Sequence, residues 1–220
     1  MQVVKKHEST AIRRSQIVNA ARKLIIKHGS EHLTVKRIAG EVGISEGTIY
    51  RHFKSKKDIL FLLADHVRDN LVGDIAEART RSPSSLEVLD GILRKHLSAI
   101  EERRGISFQI IAEIVSLGDK KLNRKIADTI NEYVGRLRAI LSDGVERGEI
   151  RGDIDPEAAA ILLFGMVQGL VSVWALKNYG FDPITTYERL WPIFREGVLN
   201  TEHAPVRGHL RARTVVPSSR

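Results

Sequence analysis

From residue 12 to residue 199 the apolar side chains of this chain recur every three or four positions, and no segment alternates apolar and polar residues one by one. That spacing gathers them on one side of an α-helix, whereas a half-buried strand needs a period of two. No Asn-Gly or Asp-Gly turn stands between β-branched runs, so the usual hairpin signal is missing as well. The chain reads as all-α. With 220 residues and 42% hydrophobic composition it is long enough to bury a core.

The breaks between periodic runs divide the chain into elements. A first helix carries Ile12, Ile17, Ala20, Ala21, Leu24 and Ile25 on one side and stops at Gly29, where a left-handed cap is cheapest for glycine. Thr34 and Ser45 are N-caps of two short helices that meet at Val42-Gly43-Ile44. Ser55 opens a longer helix, and Asp58 three positions on completes an arrangement like a capping box. Pro83 and its flanking serines interrupt the chain near residue 82, and further amphipathic helices follow to residue 148. Asp155-Pro156 starts the next helix and Pro183 the last.

The net charge of +8 is unevenly spread. Residues 1–60 hold 13 Lys and Arg against 5 Asp and Glu, residues 61–200 hold 18 against 21, and residues 201–220 hold 4 against 1. A basic block ahead of a mildly acidic body suits a polyanion, nucleic acid before an anionic membrane, although a solvated basic face has the same composition. The absence of cysteine excludes disulfides, thiolate zinc sites and cysteine nucleophiles. The first residues contain no apolar run of the secretory kind, and the reading is cytoplasmic.

The most specific segment is TVKRIAGEVGISEGTIYRHFKSKKDIL, residues 34–60. Two short helices crossing steeply need a small residue at their approach, supplied by Ala39, and a tight turn, supplied by Gly43. Ile38, Val42, Ile44 and Ile49 fall on the inner faces, which leaves the outward residues of the second helix to enter a major groove. GTIYRHFKSKKDIL after that turn resembles the signature of TetR-type regulators, over roughly residues 10–65.

The resemblance implies a three-helix helix-turn-helix domain over residues 9–54 and a larger helical effector-binding and dimerisation domain over 55–200, while residues 201–220, which lack apolar periodicity, read as a disordered basic tail. It places Thr34, Lys36, Tyr50, His52, Lys54 and Lys56 on phosphate, with packing as the alternative for Tyr50. Ser45, Gly47, Thr48 and Arg51 take the groove-facing start of the second short helix. Glu46 complements the helix dipole there or reads a cytosine. Phe53 reads as a plug of the core.

The run from residue 158 to 176 is apolar apart from Gln168 and Ser172 and contains Gly165-x-x-x-Gly169. Its length meets the criterion for a membrane span, but a bundle centre also needs a helix apolar on every side, and the reading is no membrane. In regulators of the resembled type the last two helices form a four-helix dimer interface. Leu162, Gly165, Met166, Gly169, Val173, Leu190, Ile193 and Phe194 are the candidates here, against the alternative of ordinary core. An apolar or amphipathic small-molecule effector is expected among the middle helices, walled by Phe61, His96, Phe108 and Ile111 with Tyr133, Leu137, Met166 and Trp174. Glu113 also falls near that wall.

No phosphate-binding glycine loop, nucleophile elbow, cofactor signature or metalloprotease motif occurs, so an enzyme has no constellation to rest on. His28 and His32 have metal-pair spacing but flank the helix-ending Gly29. The expected protein is a homodimeric regulator, more often a repressor in this family, on a palindromic double-stranded operator. The competing reading keeps the DNA-binding domain but replaces the effector by a protein partner, as in a DNA-associated structural or cell-division factor.

Overall fold

The computed structural model describes residues 9–29, 32–76 and 83–200, so the basic tail expected over 201–220 lies outside the described residues. Among them, nine helices follow one another: α1 (Thr10–His28), α2 (Val35–Val42), α3 (Glu46–His52), α4 (Lys56–Ala76), α5 (Ser85–Glu102), α6 (Ile106–Leu117), α7 (Lys120–Glu146), α8 (Pro156–Leu176) and α9 (Pro183–Val198). One isolated antiparallel bridge, Ile150 to Leu199, ties the loop after α7 to the end of α9.

Short polar side chains start most of these helices by accepting the first orphan amides. Thr34 accepts from the Arg37 N–H and Ser45 from the Thr48 N–H, both at 3.2 Å. Asp155 and Asp182 cap α8 and α9 ahead of Pro156 and Pro183. At the start of α4 the Asp58 carboxylate accepts from the Lys54 and Ser55 amides at 2.8 and 3.2 Å, the reciprocal half of a capping box. Gly29 and Gly43 follow α1 and α2 at φ 85° and 74°, which a side chain would resist.

The second of these helices packs on α1 and α3, and α4 runs from that head into the body, touching α1, α5, α6 and α7. Leu60, Leu63, Val67 and Leu71 of α4 are fully buried, as are Leu93 and Leu97 of α5 and Leu137 and Leu141 of α7. Ile12, expected on the buried side of α1, is instead 53% exposed. It stands in the first turn, ahead of the stretch from Ile17 onward that α2 and α4 cover.

Length and composition alone would let α8 cross a membrane. It has two faces, however. Ala160, Leu163, Val167, Val171 and Trp174 are buried, with α7 and α9 packed alongside, and Leu162, Gly165, Gly169, Val173 and Leu176 form an exposed stripe. Helix α9 is held to α5 by Arg94, whose guanidinium bonds both Asp90 and Glu188, and by the Tyr187 hydroxyl, which donates to Asp90 at 2.7 Å.

Candidate DNA-binding head and effector body

In the head, α3 is anchored from one side and open on the other. Ile49 and Phe53 are buried, and the Arg14 guanidinium lies 4.7 Å over the Phe53 ring while donating to the His52 carbonyl at 3.2 Å. The end of α3 is thereby fixed to α1. On the outward side Ser45 Oγ lies 2.9 Å from Thr48 Oγ1, to which the Arg51 guanidinium donates at 3.5 Å. Residues 45, 48 and 51 share a face by their three-residue spacing, so two hydroxyls and a guanidinium present one row of hydrogen-bonding groups.

Gly47 is exposed, and a methyl built on it would meet nothing closer than Ser45 Oγ at 3.9 Å. The fold itself therefore does not require glycine there. Tyr50 is 52% exposed. Thr34, Lys36 and Lys54 are exposed as well.

Two of the residues expected on phosphate are half-buried rather than exposed. His52 is half-buried, with Nδ1 enclosed and unbonded. Lys56, in the first turn of α4, places its ammonium 2.5 Å from Glu113 Oε1 on α6. The neighbouring Lys57 pairs with Asp119, the N-cap of α7. A charge already paired inside the chain differs from one held open for DNA.

In the body, the residues expected around an effector separate into three places. His96, Phe108, Tyr133, Leu137 and Trp174 are buried, Phe61 and Ile111 are half-buried, and Met166 lines another groove. The His96 imidazole Nδ1 lies 3.0 Å from the Tyr133 hydroxyl, and burial, helped by the charge of Arg103, lowers its pKa from 6.5 to about 4. The ring is neutral near pH 7. Beside it, Asn70 of α4 donates to Ser107 of α6 at 3.1 Å.

Asn70, His96, Arg103 and Ser107 surround a cavity of only about 10 Å³, room for about one water. Phe108, Tyr133 and Trp174, beside which a ligand-sized gap is expected, do not line that cavity. Tyr133 packs edge-on against Phe164, and Trp174 against Tyr179. Phe61 faces the α4–α7 side, where the ammonium groups of Lys121 and Lys125 lie 5.2 and 4.3 Å from its ring centre. Trp174 Nε1 is buried without a hydrogen-bond partner.

Met166 borders a groove between α8 and α9 of about 450 Å³, together with Leu162, Leu190, Ile193 and Phe194. Leu162 and Ile193 are 61% and 71% exposed, and a methyl on Gly165 or Gly169 would touch nothing within the chain. Phe194, at the edge of the same groove, is buried and stacks on Trp191. Asn70 and Ser107 escaped the sequence reading, although Asn70 follows Leu63 and Val67 on the apolar phase of α4. His28 and His32 meet edge to face at 6.1 Å, and no cluster of metal-ligating side chains occurs among the described residues.

Residues 17–63 match the family of bacterial regulatory proteins described as tetR, and residues 65–196 match the C-terminal region of YsiA-like proteins. The chain belongs to the TetR family. It is a DNA-binding transcriptional regulator.

Its relatives include the fatty acid metabolism regulator protein of Bacillus subtilis (strain 168), 26% identical over 185 residues that cover 84% of this chain and 95% of the relative. The nucleoid occlusion factor SlmA of Idiomarina loihiensis is 23% identical, covering 86% of this chain and 96% of its own. Among solved structures, the transcriptional regulator FadR of Bacillus subtilis in complex with stearoyl-CoA aligns with a TM-score of 0.71 and 25% identity. That alignment covers 83% of this chain and 98% of the other.

Proposed function

We propose that this TetR-family chain is a homodimeric repressor that leaves a palindromic operator when a long-chain acyl thioester enters its body. The observation that carries the DNA-binding part is the geometry of α3. Ser45, Thr48 and Arg51 form its outward row while Ile49 and Phe53 sink into the core. The likeness to the fatty acid metabolism regulator supports the effector class, since it extends over nearly the whole relative and so includes the effector body. Five buried candidates for the cavity wall, His96, Phe108, Tyr133, Leu137 and Trp174, offer apolar surface with few polar groups, which suits an acyl chain.

An effector of this class acts by shifting the population between two conformations. Such a ligand weakens DNA binding by its differential affinity for the two states, and operator DNA must weaken ligand binding by the same factor. Thr48→Ala with Tyr50→Ala should abolish operator binding while helical content persists. Long-chain acyl-CoA, but not free CoA, should raise the melting temperature and displace the operator. An unchanged operator affinity in the double variant would sink the DNA-binding assignment, and no stabilisation by any acyl-CoA would sink the effector assignment.

A second reading draws on the similarity to SlmA and makes a protein partner the regulator. Genome-wide occupancy separates the two. A repressor occupies one or a few sites, whereas an architectural factor occupies many.

A further inference from the structure

Lys56, at the start of α4, is expected on operator phosphate by the family resemblance, yet its ammonium is held by Glu113, 57 residues away on α6. The side chains are 32% and 15% exposed, so the pair is only partly screened by water and salt. We propose that Glu113 is an internal competitor for DNA: its carboxylate withholds Lys56 from operator phosphate and thereby lowers the affinity of the head. This rests on reading α3 and the start of α4 as the DNA-binding surface.

An ammonium is a compact charge with three donors, and the exposed part of Lys56 leaves room for a phosphate to approach. That phosphate would arrive within a few ångströms of the Glu113 carboxylate and be repelled by it. Lys36 and Lys54, on the same head, are exposed. The contact also connects head and body by charge. Ser107, at the start of α6, lines the small cavity beside His96, and the six residues from there to Glu113 span about 9 Å of helix. A shift of α6 at the cavity therefore changes how firmly Lys56 is held.

Glu113→Gln keeps the size and polarity of the side chain and removes its charge. Operator affinity at low salt should rise by about tenfold, and the plot of log affinity against log salt should steepen by about one unit as one more phosphate is neutralised. Unrelated duplex DNA should gain similarly, because phosphate carries no sequence. The gain from Glu113→Gln should shrink or vanish when Lys56→Ala is added, because the freed ammonium is then missing.

Circular dichroism checks the fold. If the Gln variant loses helical content, Glu113→Asp, one methylene shorter, must move affinity and slope in the same direction. An unchanged or lowered affinity with an unchanged slope overturns the proposal and makes the pair a positioning contact. If the Thr48→Ala, Tyr50→Ala double variant also binds normally, the DNA-binding reading falls with it. If that variant loses binding and only Glu113→Gln is silent, the competition alone is wrong.

Discussion

His96 shows how one residue sets a condition on stability. Its imidazole is buried, bonded to the Tyr133 hydroxyl, and titrates at about 4 where a free histidine titrates at 6.5. Below 6.5 the unfolded chain takes up a proton that the folded chain refuses, so stability is fully present above 6.5 and is lost as pH falls toward 4. The difference corresponds to roughly 3 kcal/mol across that window. His96→Gln should flatten the fall in denaturant midpoint between pH 6.5 and 4 relative to the parent protein. Equal slopes for the two proteins would show that other groups govern acid stability.

At the scale of an element, α7 contains two glycines with opposite meaning. A methyl on Gly144 would lie 2.7 Å from Ile150 Cδ1 and 3.0 Å from Ser85 Cβ, so glycine there lets α5 and the loop after α7 pack closely against the helix. Gly135, earlier in the same helix, has nothing within 4 Å of that position. Helix propensity favours alanine at both by up to about 1 kcal/mol. Gly135→Ala should therefore raise the melting temperature, while Gly144→Ala should lower stability by about 1–3 kcal/mol through overpacking. Thermal melts of the two variants test the pair, and a stabilised Gly144→Ala protein would contradict the packing described.

For the whole molecule, the exposed stripe of α8 and the groove it shares with α9 belong in our reading to a two-fold dimer interface. Leu162 and Ile193 stand out from a single chain, and an apolar stripe left unpaired in that way marks an association surface. Leu162→Glu combined with Ile193→Glu should leave helical content unchanged but convert the protein to a monomer in light scattering. Operator affinity should then fall by about a hundredfold or more, since one reading head loses the advantage of its tethered partner. A dimer that persisted with both charges in place would move the interface to another face.

What the sequence determined by itself was what local physics encodes. Thr34, Ser45 and Asp155 accept amides within three residues, Gly43 turns a chain that others would strain, and a period of 3.6 fixes which side of each helix is apolar. The helices and the helix-turn-helix were legible for that reason, whereas Ser45, Thr48 and Arg51 were placed by the family resemblance. Tertiary structure alone decided which neighbour each apolar face meets. Phase marks Phe61, Met166 and Tyr133 equally as candidates for a cavity wall, yet one lies beneath two lysines, one borders the α8–α9 groove and one fills the interior. The partner of Lys56 was likewise hidden, because an ion pair across 57 residues leaves no local mark and forms only where α4 and α6 are packed together.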